Sequence, residues 1–216
     1  MYTVSVTGVV IDPTMGMGLT GTERVMADDT ADPAVPYASG NDKLTGTDAA
    51  ETINGLSGDD SLYGLGGDDV LNGGDDNDLL VGGYGADMLT GGDHGEKGDT
   101  LSYEHSDDWV RITLNDTGAA TASRGHASGD MATNFENVTG SASHDDLTGN
   151  VNNNILKGLA GDDDIDGAGG NDTIEGGAGD DKLDGGYSDG GTPAQGRFRR
   201  GNPFGLAPVL FLPSFL

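Results

Sequence analysis

GLSGDDSLY, GLGGDDVLN, GGDDNDLLV and GGYGADMLT occupy residues 55–90 as four consecutive copies of one nine-residue pattern. Aligned in register, they read G-G-x-G-x-D-x-U-x, in which U is a large aliphatic residue. The same phase extends upstream, so that six units run from Tyr37 to Thr90, and a second block of five units runs from Gly140 to Asp184. A period this strict predicts a stacked repeat array rather than an ordinary packed core.

The eighth position of every unit is a large aliphatic residue. One such residue among polar or variable neighbours predicts a strand of about three residues whose central side chain points inward. Glycines at the first, second and fourth positions predict a sharp turn through positive φ, which other residues adopt only at a cost. The eighth-position residues are Leu44, Ile53, Leu62, Leu71, Leu80, Leu89, Leu147, Leu156, Ile165, Ile174 and Leu183.

The sixth position of most units is an aspartate. Two units, or about eighteen residues, would return the chain to its starting side, so that equivalent strands stack in parallel at about 4.8 Å. Carboxylates stacked this closely repel each other. A hard divalent cation removes the repulsion, because calcium accepts about six to eight oxygens from carboxylates and backbone carbonyls. The turn glycines leave such carbonyls accessible.

Both blocks resemble the RTX, or haemolysin-type calcium-binding, repeat family, and together they cover roughly half of the chain. The resemblance implies an all-β fold, a right-handed parallel β-roll (a β-helix-like solenoid) with calcium bound in the turns. Each ion would lie between one turn and the turn two units further on, held by sixth-position carboxylates and turn carbonyls. The expected ligands are Asp42, Asp60, Asp69, Asp78, Asp87, Asp99, Asp145, Asp163, Asp172 and Asp181, with Gly55, Gly58, Gly64, Gly67, Gly73, Gly82, Gly85, Gly158, Gly161, Gly167, Gly170, Gly176 and Gly179.

Pairing each unit with the unit two further on gives about five calcium positions in the first block and about three in the second, or about eight Ca²⁺ ions. A seventh unit begins at Gly91, where three extra residues precede Asp99, the expected last ligand of the first block. Glu51 and Asn154 replace aspartate at the sixth position of their units. Their turns are therefore predicted to be poor in metal.

The net charge of −27, from 37 acidic and 10 basic residues, predicts that the chain resists compaction without cations. About eight calcium ions would offset about 16 of these charges, which couples folding to metal. The same balance excludes nucleic acid as a partner, because phosphates require a basic surface. The alternative is an acidic, glycine-rich disordered segment. Disorder would not require an aliphatic residue at every eighth position, which disfavours this alternative for the calcium-bound chain. Without calcium, we expect the chain to be disordered.

The chain contains no cysteine, which excludes disulfides and thiolate chemistry. Its N-terminus lacks the charged and apolar regions of a Sec signal peptide, and no membrane-spanning helix is predicted. Extracellular calcium is in the range that weak modules bind. The resemblance implies export by a type I secretion system through an uncleaved C-terminal signal. We therefore expect a secreted, extracellular protein with calcium and a type I exporter as partners; the oligomeric state is not predicted.

Five segments are predicted. The last one, rich in basic, apolar and proline residues, is interpreted as an export or docking tail or as an unstructured, frameshifted or truncated end, with the unstructured interpretation favoured. The interrupting segment is predicted to contain a strand in which Val110, Ile112 and Leu114 point inward, and the resemblance implies a bulged coil that continues the stack. The segments are a lead-in or cap at 1–36, the first block at 37–101, the interruption at 102–139, the second block at 140–186 and the tail at 187–216.

Catalytic motifs are missing from the sequence. None of the four histidines lies in HExxH, and GxSxG is absent, so we do not expect an enzyme. Three function classes remain, in descending order. The first is a stand-alone or fragmentary calcium-binding β-roll that folds after export. The second is the non-catalytic C-terminal module of a larger type I-secreted enzyme or toxin, against which the Met1 start argues mildly. The third is an adhesin or ice-binding surface, which the absence of a threonine ladder at position nine disfavours.

Overall fold

The computed structural model describes residues 40–116, 119–188, 192–193 and 197–200. These residues form an all-β solenoid whose chain alternates between two long, mainly parallel sheets. The first six strands are β1 (Lys43–Thr45), β2 (Thr52–Ser57), β3 (Ser61–Gly66), β4 (Val70–Asp76), β5 (Leu79–Tyr84) and β6 (Met88–His94). The predicted all-β parallel roll is confirmed, whereas the predicted lead-in at 1–36 lies outside the described residues.

The remaining elements resume the alternation after three successive strands of the second sheet, β8 to β10. They are β7 (Thr100–Ser102), β8 (Arg111–Leu114), β9 (Ala119–Ser123), the 3-10 helix Gly125–Ala127, β10 (Met131–Thr133), β11 (Asn137–Thr139), β12 (Asp146–Thr148), β13 (Ile155–Ala160), β14 (Asp164–Asp166), β15 (Thr173–Ala178), β16 (Lys182–Asp184), β17 (Tyr187–Ser188), β18 (Thr192–Pro193) and β19 (Arg197–Arg200). The first sheet has the order β1-β3-β5-β7-β11-β13-β15-β19, and the second has β16-β14-β12-β8-β9-β10-β6-β4-β2. Strands β17 and β18 form a separate antiparallel pair.

The strands stack in the register that the repeat predicts. Leu44 lies beside Leu62 in the first sheet, and Ile53 lies beside Leu71 in the second, so that equivalent positions are eighteen residues apart. These eighth-position side chains form the core, and Leu71 is 0% exposed. Burying one such side chain contributes about 1.5–3 kcal/mol. The narrow core is therefore a single row of aliphatic side chains along each sheet.

Many strands are longer than the three residues predicted. Strand β2 begins at the seventh position of its unit and ends at the third position of the next, because parallel pairing continues into the turn. Leu56 pairs with Gly74 and Ser57 with Asp75 across this extension. The turn is thus partly held by sheet hydrogen bonds.

The interrupting segment enlarges the second sheet. The predicted strand is confirmed as β8, in which Ile112 and Leu114 are buried. The resemblance implies a bulged coil that continues the stack. In this chain the segment adds β9, which runs antiparallel to both β8 and β10 and lies between them. In the first sheet, β7 pairs directly with β11, so the second sheet gains two strands without a counterpart. The aromatic side chains buried in the described core, Tyr103 and Phe135, both lie in this segment, where the regular aliphatic packing is interrupted.

Turn glycines serve two different purposes. At the second and fourth positions φ is positive, as at Gly74 (φ 125°), where a Cβ would overlap the carbonyl oxygen of Leu56. The prediction of positive φ is wrong for the first position, since Gly55 has no such φ. Glycine is needed there because a Cβ would overlap a carboxylate oxygen of Asp60 and lie 2.5 Å from the carbonyl oxygen of Gly73.

The predicted tail at 187–216 is described only at three short strands, and β19 pairs in parallel with β15 at the end of the first sheet. The rest of the tail lies outside the described residues. Its interpretation as an export, docking or unstructured segment stays a prediction.

A glycine pair tests the steric origin of the turns. Gly74→Ala should lower the free energy of unfolding by about 2 kcal/mol or more, because it adds a Cβ at positive φ against a neighbouring backbone. Gly66→Ala is the matched control, since its nearest neighbour would be Asp48 Cα at 3.6 Å, and its effect should stay within about 0.5 kcal/mol. Urea unfolding in saturating calcium measures the free energy of unfolding of both variants. Equal decreases in the two variants would contradict the steric explanation.

Candidate functional site

The sixth-position side chains join successive turns through a hydrogen-bond ladder. Oδ1 of Asp60 accepts a hydrogen bond from the backbone N–H of Asp42 at 2.7 Å, and Oδ1 of Asp78 accepts one from the N–H of Asp60 at 2.8 Å. The second block repeats this contact, with the N–H of Asp145 donating to Oδ1 of Asp163 at 2.8 Å. Each carboxylate therefore fixes the turn two units before it.

The second oxygen of these carboxylates is buried without a hydrogen-bond partner in seven turns. A buried polar atom in this state is costly unless a ligand satisfies it. Each of these side chains is no more than 2% exposed, so bulk water does not reach the oxygen. The seven residues are Asp60, Asp69, Asp78, Asp87, Asp99, Asp163 and Asp172.

The unpartnered oxygen lies beside a carbonyl oxygen of the next turn on the same side of the roll. The space that a Cβ on Gly55 would fill is bounded by Oδ2 of Asp60 and by the carbonyl oxygen of Gly73. The same arrangement recurs at Gly64, beside Asp69 and the carbonyl oxygen of Gly82. Carboxylate and carbonyl oxygens brought together in this way are the donor set that a hard cation such as calcium requires.

Burial changes the protonation of these carboxylates. It raises the pKa of Asp78 to about 7 and that of Asp60 to about 6, despite the hydrogen bond that each accepts from a backbone N–H. Neighbouring carboxylates add to the rise. The pKa of Asp69, Asp99, Asp163 and Asp172 is also raised to about 6, with burial as the largest cause. A bound divalent cation would favour the charged form and oppose this shift.

Two turns satisfy their sixth-position side chain internally. Oε2 of Glu51 accepts a hydrogen bond from the N–H of Thr47 at 2.6 Å, and Oδ1 of Asn154 accepts one from the N–H of Asn150 at 2.9 Å. In each turn the donor is the second residue of the same unit. This bonding supports the prediction that both turns are poor in metal, which stays a prediction.

Asp145 behaves like these two residues rather than like the other aspartates. Its Oδ2 accepts a hydrogen bond from the N–H of Ser141 at 2.6 Å, and its Oδ1 accepts bonds from the Ser141 hydroxyl at 2.9 Å and from the N–H of Val110 at 2.8 Å. Both oxygens are thus satisfied by the protein. Asp145 was expected to be a ligand, and these bonds weaken that expectation.

Sequence reasoning missed one sixth-position aspartate. Asp130 lies in the unit GHASGDMAT at 125–133, and its Oδ1 accepts a hydrogen bond from the N–H of Asp87 at 2.9 Å, as in the regular ladder. Its Oδ2 accepts a second bond from the Tyr103 hydroxyl at 2.9 Å. Ala132 stands at the eighth position in place of a large aliphatic residue, which hid the repeat. Gly125, followed five residues later by Asp130, was the available signal.

Each predicted aspartate lies in a turn and contacts its neighbours in the stack, rather than joining a compact side-chain cluster. Across residues 40–116 and 119–186, no three His, Asp or Glu side chains converge as a metal-binding group. A site in these turns would therefore draw on one carboxylate per turn and on backbone carbonyls. None of the described helical structure is long and apolar enough to span a bilayer.

The repeat blocks match a known protein family. The RTX calcium-binding nonapeptide repeat matches four segments, at residues 45–80, 73–94, 139–174 and 166–189. No curated protein matches the chain. The matched segments fall in the two repeat blocks, which confirms the resemblance drawn from the sequence and supports calcium binding.

The raised pKa values predict how chelator-treated protein responds to acid. The folded-state pKa of these aspartates, about 6 to 7, lies above the unfolded value of 3.8. Their contribution to stability is therefore fully present below about pH 4 and is lost as the pH rises through about 6 to 7. In chelator, β structure measured by far-UV circular dichroism should increase as the pH falls from about 7.5 to about 5. A β signal that grows as the pH rises would contradict the assignment.

Proposed function

We propose that this chain, which carries RTX calcium-binding nonapeptide repeats, is a module whose β-roll folds when calcium enters its turns. The repeats support calcium binding itself. The coupling to folding rests on the seven buried carboxylate oxygens that no protein group satisfies. A cation bound beside them would stabilise only the folded state, since the converging carbonyls exist only when the turns are stacked.

Net charge supports the same conclusion. A chain with a formal charge of −27 must bring carboxylates to within one strand spacing of each other to form the ladder. Cations offset that repulsion where it is largest. The core contains only one aliphatic side chain per turn, so apolar burial does little to offset the charge repulsion.

We assign calcium to the turns that contain the unpartnered carboxylates. First-position glycines such as Gly73 and Gly82 would supply carbonyl oxygens, as would the fourth-position glycines whose carbonyls face the next turn. The turns of Glu51, Asp145 and Asn154 would bind less metal, because their side-chain oxygens already accept hydrogen bonds. The number of ions would then be at or below the about eight that the repeat count gives.

The module is proposed to act outside the cell as a non-catalytic, structural unit. RTX repeat proteins are typically extracellular, and weak turn sites suit the calcium concentrations found there. Low calcium inside the cell would leave the chain unfolded, which is the state that a type I exporter would carry. Folding would then follow release.

A calcium titration tests the coupling directly. Far-UV circular dichroism should show a cooperative change from coil to β structure as calcium rises toward about 10 mM. Magnesium at equal ionic strength should not reproduce it, because magnesium demands a rigid octahedral shell and dehydrates reluctantly. A transition of equal size in magnesium, or none in calcium, would refute the proposal.

A neighbouring pair of aspartates tests the site assignment. Asp69→Asn should raise the calcium midpoint several-fold, because it removes a charged oxygen from the turn. In chelator the same variant should be at least as stable as the parent, because it removes a buried charge. The control is Asp68→Asn, which changes the same charge one residue away on an exposed side chain. The assignment fails if the two variants shift the midpoint equally.

A further inference from the structure

The junction between the two blocks contains a turn that departs from the calcium-binding pattern. This junction turn, residues 125–130, stacks on the turn 82–87, and β10 pairs with β6 beyond it. Its sixth-position residue, Asp130, already has both oxygens hydrogen-bonded, one of them to Tyr103. Its second position holds His126, whereas no unit of the two repeat blocks carries a histidine there.

His126 lines a cavity and has a ring nitrogen without a hydrogen-bond partner. Its side chain is 7% exposed, and its Nε2 is buried without a hydrogen-bond partner. The backbone N–H of His126 donates to the Ser106 hydroxyl at 3.1 Å, and its ring lies 4.0 Å from the ring of Tyr84 between centroids. The cavity, of about 430 Å³, is also lined by Asp107, Arg124 and other turn residues. The imidazole is therefore held in place at the wall of the cavity, and no protein group forms a hydrogen bond with its buried Nε2.

Asp107 lies opposite this nitrogen. Its Oδ1 is 3.7 Å from Nε2 of His126, too far for a hydrogen bond, and its Oδ2 accepts a hydrogen bond from the Tyr84 hydroxyl at 3.2 Å. Two ligands with metal bonds of about 2.0–2.2 Å at a tetrahedral angle lie about 3.4 Å apart. The Asp107 side chain is 69% exposed, so it has room to move the short distance toward Nε2 that a shared metal would require.

We propose that His126 Nε2 and an Asp107 carboxylate oxygen form a binding site for a first-row divalent cation such as Zn²⁺ at the junction. Imidazole nitrogen suits zinc, whereas calcium and magnesium take oxygen ligands. Tyr84 orients the carboxylate through its other oxygen, as outer-sphere partners of metal ligands commonly do. Burial lowers the pKa of His126, which favours the neutral imidazole that binds metal. With two protein ligands, water completes the coordination shell.

The two other histidines that lie near glutamates do not offer the same site. His94 and His105 also lie near acids, with Nε2 3.7 Å from Glu136 and 3.8 Å from Glu104, but their side chains are 51% and 62% exposed. An exposed pair must give up hydration and side-chain freedom to bind a metal. His126 is already desolvated and held by its neighbours. The proposed ligands include none of the seven unpartnered carboxylates, although one of these, Asp87, lies near enough to act on His126 electrostatically.

Zinc titration of the full chain in saturating calcium tests the site, since calcium then blocks the oxygen-rich turns. Calorimetry should detect one zinc ion bound per chain. His126→Gln should weaken zinc binding at least tenfold, and Asp107→Asn should weaken it several-fold. The matched control is His105→Gln, which alters the exposed pair of His105 and Glu104 and should leave zinc binding unchanged. Calcium-induced circular dichroism of each variant reports whether the roll still folds.

Two readouts separate this site from zinc held elsewhere. In nitrogen-detected NMR, the imidazole resonances of His126 should shift at a lower zinc concentration than those of the other three histidines. Asp107→Asn, a change on an exposed side chain, should weaken zinc binding without altering the calcium transition, so the test remains decisive if His126→Gln fails to fold. No zinc binding below about 1 mM, or equal binding by the Asp107 and His105 variants and the parent, would overturn the proposal.

Discussion

The buried sixth-position carboxylate, bonded through one oxygen and unsatisfied at the other, is the constraint on which the rest of this structure depends. Its bonded oxygen fixes the spacing of turns eighteen residues apart, as between Asp42 and Asp60. Its other oxygen requires a small residue beside it, which accounts for the first-position glycine. It also concentrates negative charge at the turns. Strand register, turn composition and the need for a cation thus follow from one side chain.

The aliphatic core and the polar turns stabilise the structure in different ways. The core supplies register and a continuous apolar interior, but only one buried side chain per turn, such as Leu71 or Leu80. The turns supply most of the specificity through close backbone contacts. They also contain strained positions, since Leu56 and Leu65 adopt positive φ at a position where glycine occurs in other units. Such strain persists only where the surrounding stack enforces it.

Sequence reasoning predicted the features that the repeat imposes on every unit. The parallel register and the burial of residues such as Leu71 followed from the period alone. Features that depend on contacts between distant units were not predictable. The hydrogen bonds that occupy Asp145 come from its own turn and from Val110, which lies 35 residues away. Asp130 was missed because Ala132 stands where the other units have a large aliphatic residue. Tyr103, which donates a hydrogen bond to Asp130, lies outside the unit.

The antiparallel strand β9 interrupts the regular parallel stacking of the second sheet between the two blocks. On the first-sheet side, backbone pairing passes without a break from β7 through β11 to β13. On the other side, the hairpin of β8 and β9 separates the turn of Asp130 from that of Asp145, so the carboxylate ladder is interrupted. In a solenoid each coil is stabilised mainly by its nearest neighbours. Within a block, order can therefore spread through parallel strand pairing and the carboxylate ladder together. Between the blocks, the second-sheet side keeps only the strand pairs of β9 with β8 and β10, so neighbouring coils have fewer contacts with each other there.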